Sequence, residues 1–412
     1  LSLLVIVALL TGTAIADKCQ KKNPIVFIHG ILAGMLMGEA NIDPNLKVDL
    51  PSGCDRSFDY RRLWVALKNI NPFRNECIYP YMTPVWHADK KQVRDIEGVK
   101  IESPKFGSTY ACDEIDPNWP VSMVTKSFHD LIKKFKDLGY VDGEDMVGAS
   151  YDWRYFRFNE IEGMDDWYAK TKALIEKTAK KYGKVVIISH SMGGLMTYRL
   201  LDYLGKDFSD KYILRWVALS PPFLGAVKTF AAAFPGNNLG LPIKASLLRP
   251  MCRRAETVPL LFPMGGVEKF GNLQLLKIKS TGAVYTADNI SLAIDTVPDT
   301  DFRESAHFIF EERSMVRLYK KYGWKFPNNV ETHCLISGGK ETISGVTMAT
   351  ESYDGDNELS YGDGDGTVNS VSLEFCKKMG PASFKYLGKY SHTEILKGKV
   401  SYEDVRRLVC DL

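Results

Sequence analysis

The sequence predicts an α/β fold, a mainly parallel sheet with helices on both faces. Short buried runs of apolar residues alternate with segments at helical spacing, a rhythm typical of parallel sheets. The stretch VVIISHSMGGLMTYRLL, which begins at Val185, passes from an apolar strand into a helix through a turn with a central serine. Such a turn raises a serine hydroxyl clear of the sheet, near the positive end of the helix that follows.

The composition is that of a globular chain with a sizeable core. Of its 412 residues, 45% are hydrophobic and 25% are charged, which allows one large domain or two ordinary ones. The net charge of +3 is too small to argue for a nucleic-acid partner. Lysine clusters such as KKFK are most simply solvated helix faces.

The first residues predict entry into the secretory pathway. Residues 1–16 form an apolar run that is short for a bilayer span, and Ala14-Ile15-Ala16 offers a cleavage site before Asp17. We therefore expect a signal peptide over residues 1–16, with an uncleaved anchor as the alternative. The mature chain is then residues 17–412.

The cysteines agree with an oxidising compartment. There are eight, an even number, without a C-x-x-C pair or zinc-like spacing. This usage predicts disulfides rather than a metal site, and buried free thiols are the alternative. Asn289-Ile290-Ser291 is a candidate glycosylation site.

Two stretches interrupt the strand-helix rhythm. Residues about 41–110 are rich in Pro, Asn, Asp and aromatics, and we expect an irregular insertion there rather than sheet. Residues about 223–330 have apolar pieces split by Pro and Gly, and form a second insertion. The core strands that we expect between and around them are PIVFIHG, MVGASYDWR, KVVIIS, ILRWVALS, HCLISGG and SFKYLG. Both insertions fall near the carboxyl edge of the sheet, where sites of such folds gather.

The serine turn is a candidate nucleophile site. In the frame Ser189-His190-Ser191-Met192-Gly193, serine replaces the first glycine of the usual G-x-S-x-G, and its small size keeps the turn plausible. The alternative is a merely structural βα turn. A nucleophilic Ser191 needs a base and an orienting carboxylate, which this kind of fold supplies in the order Ser, Asp or Glu, His.

Candidates for both partners follow later strands. Asp363 and Asp365 lie on a glycine-rich loop after CLISG, and strand parity does not choose between them. His392 follows SFKYLG and is the last of seven histidines. His190 is too close to the turn to act as the base, and His29 is expected to be structural.

An oxyanion hole needs two main-chain N–H groups. By position, we expect them from Met192, after the nucleophile, and from Ile31, in the loop after PIVFIHG. The aspartates of the YGDGDGTV loop also resemble a calcium loop, but they lack the helix flanks and terminal Glu of an EF-hand.

Several motifs together resemble the lecithin:cholesterol acyltransferase and lysosomal phospholipase A2 family of α/β-hydrolases, with phospholipid:diacylglycerol acyltransferases as more distant relatives. They occur in order from about residue 24 to 396: PIVFIHGILAGML, GASYDWR, SHSMGG, SPPFLGAVKTF, PGNN, CLISGG, YGDGDGTV and SHTEIL. The chain departs from the family at His29, where Pro is usual, and at Ser189, where Gly or Ala is usual.

The resemblance implies roles for these residues. It implies a triad of Ser191, Asp365 and His392, with Ile31 and Met192 as the oxyanion hole. It also implies the disulfides Cys54–Cys77 and Cys334–Cys376, and leaves Cys19, Cys112, Cys252 and Cys410 without family counterparts.

The resemblance also implies a function for each of the two insertions. It implies a membrane-binding subdomain at about 41–110, in which Trp64 settles at the headgroup level of a bilayer. The alternative is that Trp64 packs inside the subdomain. Residues 223–330 are expected to form a cap or lid that shields an acyl-enzyme intermediate from water.

The expected function is acyl transfer from glycerophospholipids by a secreted or lysosomal enzyme that needs no metal or organic cofactor. Its expected partners are a phospholipid bilayer or lipoprotein surface, and water or a lipid alcohol as the acyl acceptor. Two alternatives stay open: a neutral-lipid or carboxyl esterase, and a non-catalytic lipid-binding protein on the same fold.

Overall fold

The structure is a computed structural model. It describes residues 19, 22–48, 50–64, 77–116, 126–239, 244–351, 353 and 357–411. The expected signal peptide, residues 1–16, lies outside the described residues. Within these ranges, every helix is too short or too polar to cross a membrane.

The strands and helices follow one another along the whole described chain. The strands are β1 (Ile25–Ile28), β2 (Leu36–Asn41), β3 (Ser57–Trp64), β4 (Val85–His87), β5 (Gln92–Arg94), β6 (Val99–Glu102), β7 (Met146–Gly148), β8 (Val185–His190), β9 (Ile213–Leu219), β10 (Leu276–Ile278), β11 (Val284–Tyr285), β12 (Thr332–Ile336), β13 (Lys340–Met348), β14 (Asn357–Gly364) and β15 (Ser383–Tyr386). The α-helices are α1 (Ile78–Met82), α2 (Tyr110–Asp113), α3 (His129–Asp137), α4 (Trp167–Tyr182), α5 (Gly193–Tyr212), α6 (Val227–Ala233), α7 (Ala245–Arg254), α8 (Thr257–Leu260), α9 (Gly266–Phe270), α10 (Ile290–Asp295), α11 (Thr300–His307), α12 (Met315–Lys321), α13 (Ser370–Glu374) and α14 (Gly398–Cys410).

A parallel sheet forms the centre of the molecule. In the described chain it has six strands in the order β15-β12-β9-β8-β1-β7, and each neighbouring pair is parallel. Ile25 of β1 pairs with Met146 of β7 on one side and with Val186 of β8 on the other. The expected strands at PIVFIHG, KVVIIS, ILRWVALS, HCLISGG and SFKYLG are all present.

Apolar side chains cover both faces of the inner strands β1 and β8 of this sheet. Alternate residues of β1 and β8, such as Val26 and Ile187, pack with residues of α4 and α5 on one face. Their neighbours, such as Phe27 and Ile188, pack with residues of α3 and α14 on the other. Strands buried on both faces read as continuous apolar runs, which is why the sequence predicts them well. The predicted parallel sheet with helices on both faces is confirmed.

The segment from 41 to 110 has more regular structure than we expected. β3, β2 and β6 form a separate antiparallel sheet, and β4 pairs with β5 in a hairpin. The expectation of irregular structure is therefore wrong. The strands are short, and β6 alternates buried and exposed residues, so its signal is weak beside that of the core strands.

The segment from 223 to 330 is mostly helical, as α6 to α12 show. Its two short strands, β10 and β11, form a second sheet with β13 and β14, which lie later in the chain. β10 runs parallel to β13, while β13 and β14 form a long antiparallel hairpin. The segment is thus attached to the part of the chain that leads to Asp365.

Three disulfides join distant parts of the described chain. They are Cys54–Cys77 and Cys334–Cys376, the pairs that the family resemblance implies, and Cys19–Cys410. Cys112 and Cys252 are buried free thiols, so both alternatives for the cysteines occur.

Candidate active site

Ser191 lies on a sharp turn between β8 and α5. Its φ of 57° is in the left-handed region, which is strained for a residue with a side chain. A Cβ at Gly193 would lie 2.3 Å from the carbonyl oxygen of Ile28, and one at Gly30 would lie 2.7 Å from Cβ of Ser191. The turn therefore needs glycine at both positions, and it holds Ser191 against the loop that follows β1.

Ser189 occupies the position of the first glycine of the usual G-x-S-x-G motif, and its hydroxyl has a hydrogen-bonding role there. Its side chain is fully buried, and its Oγ accepts a hydrogen bond of 2.8 Å from Nε1 of Trp216. The hydroxyl therefore satisfies a buried indole N–H that glycine or alanine would leave without a partner at this point. This accounts for the departure from the family pattern.

His392 and Asp365 are joined by two hydrogen bonds. Nδ1 of His392 lies 2.6 Å from Oδ2 of Asp365, and the main-chain N–H of His392 donates to the carbonyl of Asp365 at 2.7 Å. The other carboxylate oxygen of Asp365 accepts from the main-chain N–H groups of Thr367 and Val368. Because Asp365 is fully buried and accepts these bonds, its carboxylate is held in one orientation.

Asp363 occupies a different environment. It lies on β14, its side chain is exposed, and it accepts a hydrogen bond of 2.6 Å from the hydroxyl of Ser370. The structure thus brings Asp365, and not Asp363, to His392. The two aspartates differ because β14 ends at Gly364, so the chain turns before Asp365.

Ser191 and His392 line the same cleft. Both are buried, and Nε2 of His392 has no hydrogen-bond partner in the part of the chain that the structure describes. With Nδ1 engaged by the carboxylate, Nε2 is the ring atom that is left to accept a proton. Hydrogen bonds between a nucleophile and its base are often long without substrate and shorten when it binds.

Ile31 lies on the loop beside Ser191 and lines the cleft, whereas Met192 is buried at the start of α5. His29 supports this loop from behind. Its Nδ1 donates to the carbonyl of Gly30 at 2.9 Å, its Nε2 accepts from the main-chain N–H of Tyr151 at 3.3 Å, and its ring stacks on Tyr151. Burial lowers the pKa of His29 to about 4, against the opposing effect of these hydrogen bonds, so the ring is neutral near neutral pH.

The cleft has a volume of about 370 Å³ and mostly apolar walls. Residues of α6, α7 and α8 form one wall, among them Ala232, Met251 and Val258. Lys228 adds a cation that the sequence analysis did not identify. Burial lowers the pKa of Lys228, and the negative charge of Asp365 opposes this shift. The cleft can therefore hold an acyl chain along its apolar walls and an anionic group beside Lys228.

Trp64 is not on the surface. Only 2% of the residue is exposed, its Nε1 donates to the carbonyl of Leu32 at 2.8 Å, and its ring packs edge-on against Trp153. The expectation that Trp64 reaches the headgroup level of a membrane is therefore wrong for this conformation, because its indole is used inside the protein. Trp64 lines the cleft instead. Val65 and Leu67, next to it, lie outside the described residues.

The DWR motif, together with Arg157 three residues later, contacts both insertions. The buried guanidinium of Arg154 pairs with Asp152 and with Asp95 of the first insertion. Arg157 pairs with the buried Glu256 next to α8. Losing one partner of a buried ion pair leaves the other charge uncompensated, so these pairs tie both insertions to residues 152–157. The motif was visible in the sequence, but its partners are distant in the chain.

A larger cavity, of about 540 Å³, lies between residues 94–106 and 150–170. Neither Ser191 nor His392 lines it, so the smaller cleft is the candidate site. Over the described residues, no three His, Cys, Asp or Glu side chains are grouped to hold a metal ion.

Asn289, the candidate glycosylation site, is partly exposed just before α10. Its side-chain oxygen accepts a hydrogen bond from the main-chain N–H of Thr286.

Comparisons with known proteins agree with this architecture. Residues 58–360 match the family described as lecithin:cholesterol acyltransferase. The lysosomal phospholipase A and acyltransferase of Bos taurus is 29% identical over 88% of this chain and 84% of its own length. The phosphatidylcholine-sterol acyltransferase of Gallus gallus is 27% identical over 89% of this chain and 84% of its own.

A solved structure supports the fold. The Tle4–Tli4 complex contains a chain with a TM-score of 0.57 and 13% identity, over 94% of this chain and 97% of that one. The parallel sheet, the serine turn after β8 and this likeness identify an α/β-hydrolase fold. Because the family match covers most of the sequence, the chain belongs to the lecithin:cholesterol acyltransferase family.

Proposed function

We propose that this protein transfers acyl groups from glycerophospholipids through an acyl-serine intermediate, acting as a phospholipase A, an O-acyltransferase, or both. The observation that carries the proposal is the Asp365–His392 pair beside Ser191 in an apolar cleft. The relatives from Bos taurus and Gallus gallus carry names of the same activities, phospholipase A and acyltransferase.

The reaction has two steps with one set of residues. The Oγ of Ser191 attacks the ester carbonyl while Nε2 of His392 takes its proton, and Asp365 stabilises the imidazolium that forms. The N–H groups of Ile31 and Met192 stabilise the oxyanion. The lysophospholipid leaves with the proton from His392. Water or a lipid alcohol then gives a proton to His392 and attacks the acyl-serine. The bond from the acyl carbon to Oγ of Ser191 breaks, Oγ takes the proton from His392, and a fatty acid or a new ester is released.

The walls of the cleft fit this substrate class. An acyl chain gains stability against the apolar residues of α6, α7 and α8. Lys228 offers a positive charge within the cleft, and a phosphodiester carries the complementary negative charge. The helices of residues 223–330 act as a cap over the intermediate, and the Cys54–Cys77 region carries the lipid-surface contact, through residues other than Trp64.

The disulfides fit an oxidising or lysosomal environment, which is consistent with a secretory-pathway enzyme. Asn289 remains a predicted glycosylation site. A phospholipid bilayer or a lipoprotein surface is the proposed docking partner.

The test uses the purified chain, phosphatidylcholine vesicles and an added long-chain alcohol, followed by lipid analysis. We expect lysophospholipid together with fatty acid or alcohol ester, and modification of Ser191 by a fluorophosphonate. Ser191→Ala should fold but lose activity by several orders of magnitude. Turnover of a dispersed short-chain ester alone would favour the esterase. No product on any substrate, with a native fold, would favour a lipid-binding protein.

A further inference from the structure

His190, the residue before Ser191, makes a direct contact with the loop that carries His392. Its Nε2 lies 2.9 Å from the main-chain carbonyl oxygen of His392, and the two imidazole rings are 4.7 Å apart. A carbonyl only accepts hydrogen bonds, so Nε2 of His190 carries the hydrogen. The side chain of His190 is buried, with Phe128 packed edge-on against it.

This bond completes a clamp on the backbone of His392. The N–H of His392 donates to the carbonyl of Asp365, and its C=O accepts from His190. One bond thus comes from the segment of the acid and the other from the segment of the nucleophile. Nε2 of His392 itself has no hydrogen-bond partner over the described residues, so its distance from Ser191 depends on the bond from Nδ1 to Asp365 and on how the backbone is held.

We propose that His190 is a positioning residue, which holds the His392 loop where Nε2 of His392 can take the proton of Ser191. This inference rests on the proposed function. It assigns to His190 a role that acts through the backbone of His392 and involves no contact with substrate.

The chemistry of the contact explains why an imidazole suits this position. The clamp needs a donor that reaches the carbonyl without a charge, since a cation there would oppose the imidazolium that forms on His392. Burial lowers the pKa of His190 well below its usual value, and the charge of His392 lowers it further. His392, with Asp365 behind it, is the titratable group that faces this ring.

A second feature argues against a purely structural role. Nδ1 of His190 is buried and has no hydrogen-bond partner in the described part of the chain. An unpaired buried acceptor lowers stability, and an apolar side chain of similar size would avoid this loss. The unpaired Nδ1 therefore makes the imidazole less favourable for stability than an apolar side chain. The contact that only the imidazole makes is the hydrogen bond from Nε2 to the carbonyl of His392.

The test compares two amides of different reach. In His190→Gln the amide nitrogen is as many bonds from the backbone as Nε2, whereas in His190→Asn it corresponds to Nδ1 and falls short of the carbonyl. We measure kcat and KM on a soluble short-chain ester, and the rate at which a fluorophosphonate modifies Ser191. His333→Asn is the matched control, because His333 is a buried histidine of β12 that bonds Ser383 and Glu331.

We expect His190→Asn to lower kcat and the labelling rate by about tenfold or more, with KM changed less than about twofold, because small displacements of a base are costly. His190→Gln should recover most of the activity, and His333→Asn should match the wild type. Equal activities of the Gln and Asn variants, or a loss confined to KM, would overturn the inference. His190→Leu, which has no donor, replaces the Asn variant if that one does not fold. Failure of the wild type itself to be labelled at Ser191 would instead refute the proposed function.

Discussion

His392 and Asp365 contact each other twice, through the imidazole and carboxylate at 2.6 Å and through their main chains at 2.7 Å. The second contact matters because it fixes the loop as well as the ring. Asp363, two residues earlier, is exposed and bonds Ser370 instead. The pair of aspartates therefore offers a sharp test of which carboxylate orients the base.

We predict that Asp365→Asn lowers kcat by about 10³- to 10⁴-fold, because an amide neither holds the imidazole tautomer nor stabilises the imidazolium. Asp363→Asn should change kcat less than about threefold, since it alters one exposed hydrogen bond. Both variants are compared on the same vesicles after their folding is checked by circular dichroism. An inactive Asp363 variant beside an active Asp365 variant would refute the assignment.

Much of the site could be predicted from the sequence because its residues follow strand ends in the order that this kind of fold requires. Ser191 follows the buried apolar run of β8 and His392 follows β15 of the same sheet, and the turn glycines mark the nucleophile. Asp365 follows β14 of the second sheet instead, because the β13–β14 hairpin lies between it and β12. Strand parity did not separate Asp363 from Asp365, since burial depends on where β14 ends.

Other features depend on contacts between distant residues and had no local signal. The family resemblance implies that Trp64 is a membrane anchor, yet its indole donates to the carbonyl of Leu32 and packs on Trp153. The pairing of β10 with β13 also joins segments that are far apart in the chain. The bond from His190 to the carbonyl of His392 spans 202 residues and involves a main-chain atom, so no sequence pattern marks it.

We predict that Trp64→Ser acts on the whole enzyme rather than on membrane binding. Removing this buried indole should lower the free energy of unfolding by about 3–5 kcal/mol. It should also reduce activity on vesicles and on a soluble ester to the same extent, because Trp64 lines the cleft. Tyr60→Ser is the control, since Tyr60 lies on the same strand and is 44% exposed. A loss on vesicles alone would restore the membrane role of Trp64.

Ser189→Ala tests why this chain has serine at a position of the turn where glycine or alanine is usual in the family. Loss of the acceptor for Trp216 should lower the free energy of unfolding by about 1–3 kcal/mol, because a buried donor is left unpaired. We expect kcat on a short-chain ester to stay within about twofold, since the turn keeps a small residue. Urea unfolding of Ser189→Ala, Trp216→Phe and the double variant measures the coupling, and additive effects would show that the bond contributes nothing.

The last prediction concerns acid stability and His29. Because burial lowers the pKa of His29 to about 4, the unfolded chain binds a proton at this residue between about pH 6.5 and 4 while the folded chain does not. The contribution of neutral His29 to the free energy of unfolding is therefore fully present above about pH 6.5. It is lost as the pH falls through about 4. The integrated loss is about 3 kcal/mol. His29→Gln lacks this titration, so the gap in unfolding free energy between the wild type and the variant should narrow by that amount from pH 7.5 to 4.

His307→Gln provides a control of opposite sign. Burial alone would lower the pKa of His307, but its hydrogen bonds with Asp295 and Glu311 outweigh burial and raise it. The folded chain therefore binds the proton of His307 more tightly than the unfolded chain, and this stability is present at low pH and lost as the pH rises through the raised pKa. The gap between wild type and His307→Gln should thus widen as the pH falls. Urea unfolding of the three proteins across this range measures both trends, and parallel curves for wild type and His29→Gln would show that His29 is not kept neutral by the fold.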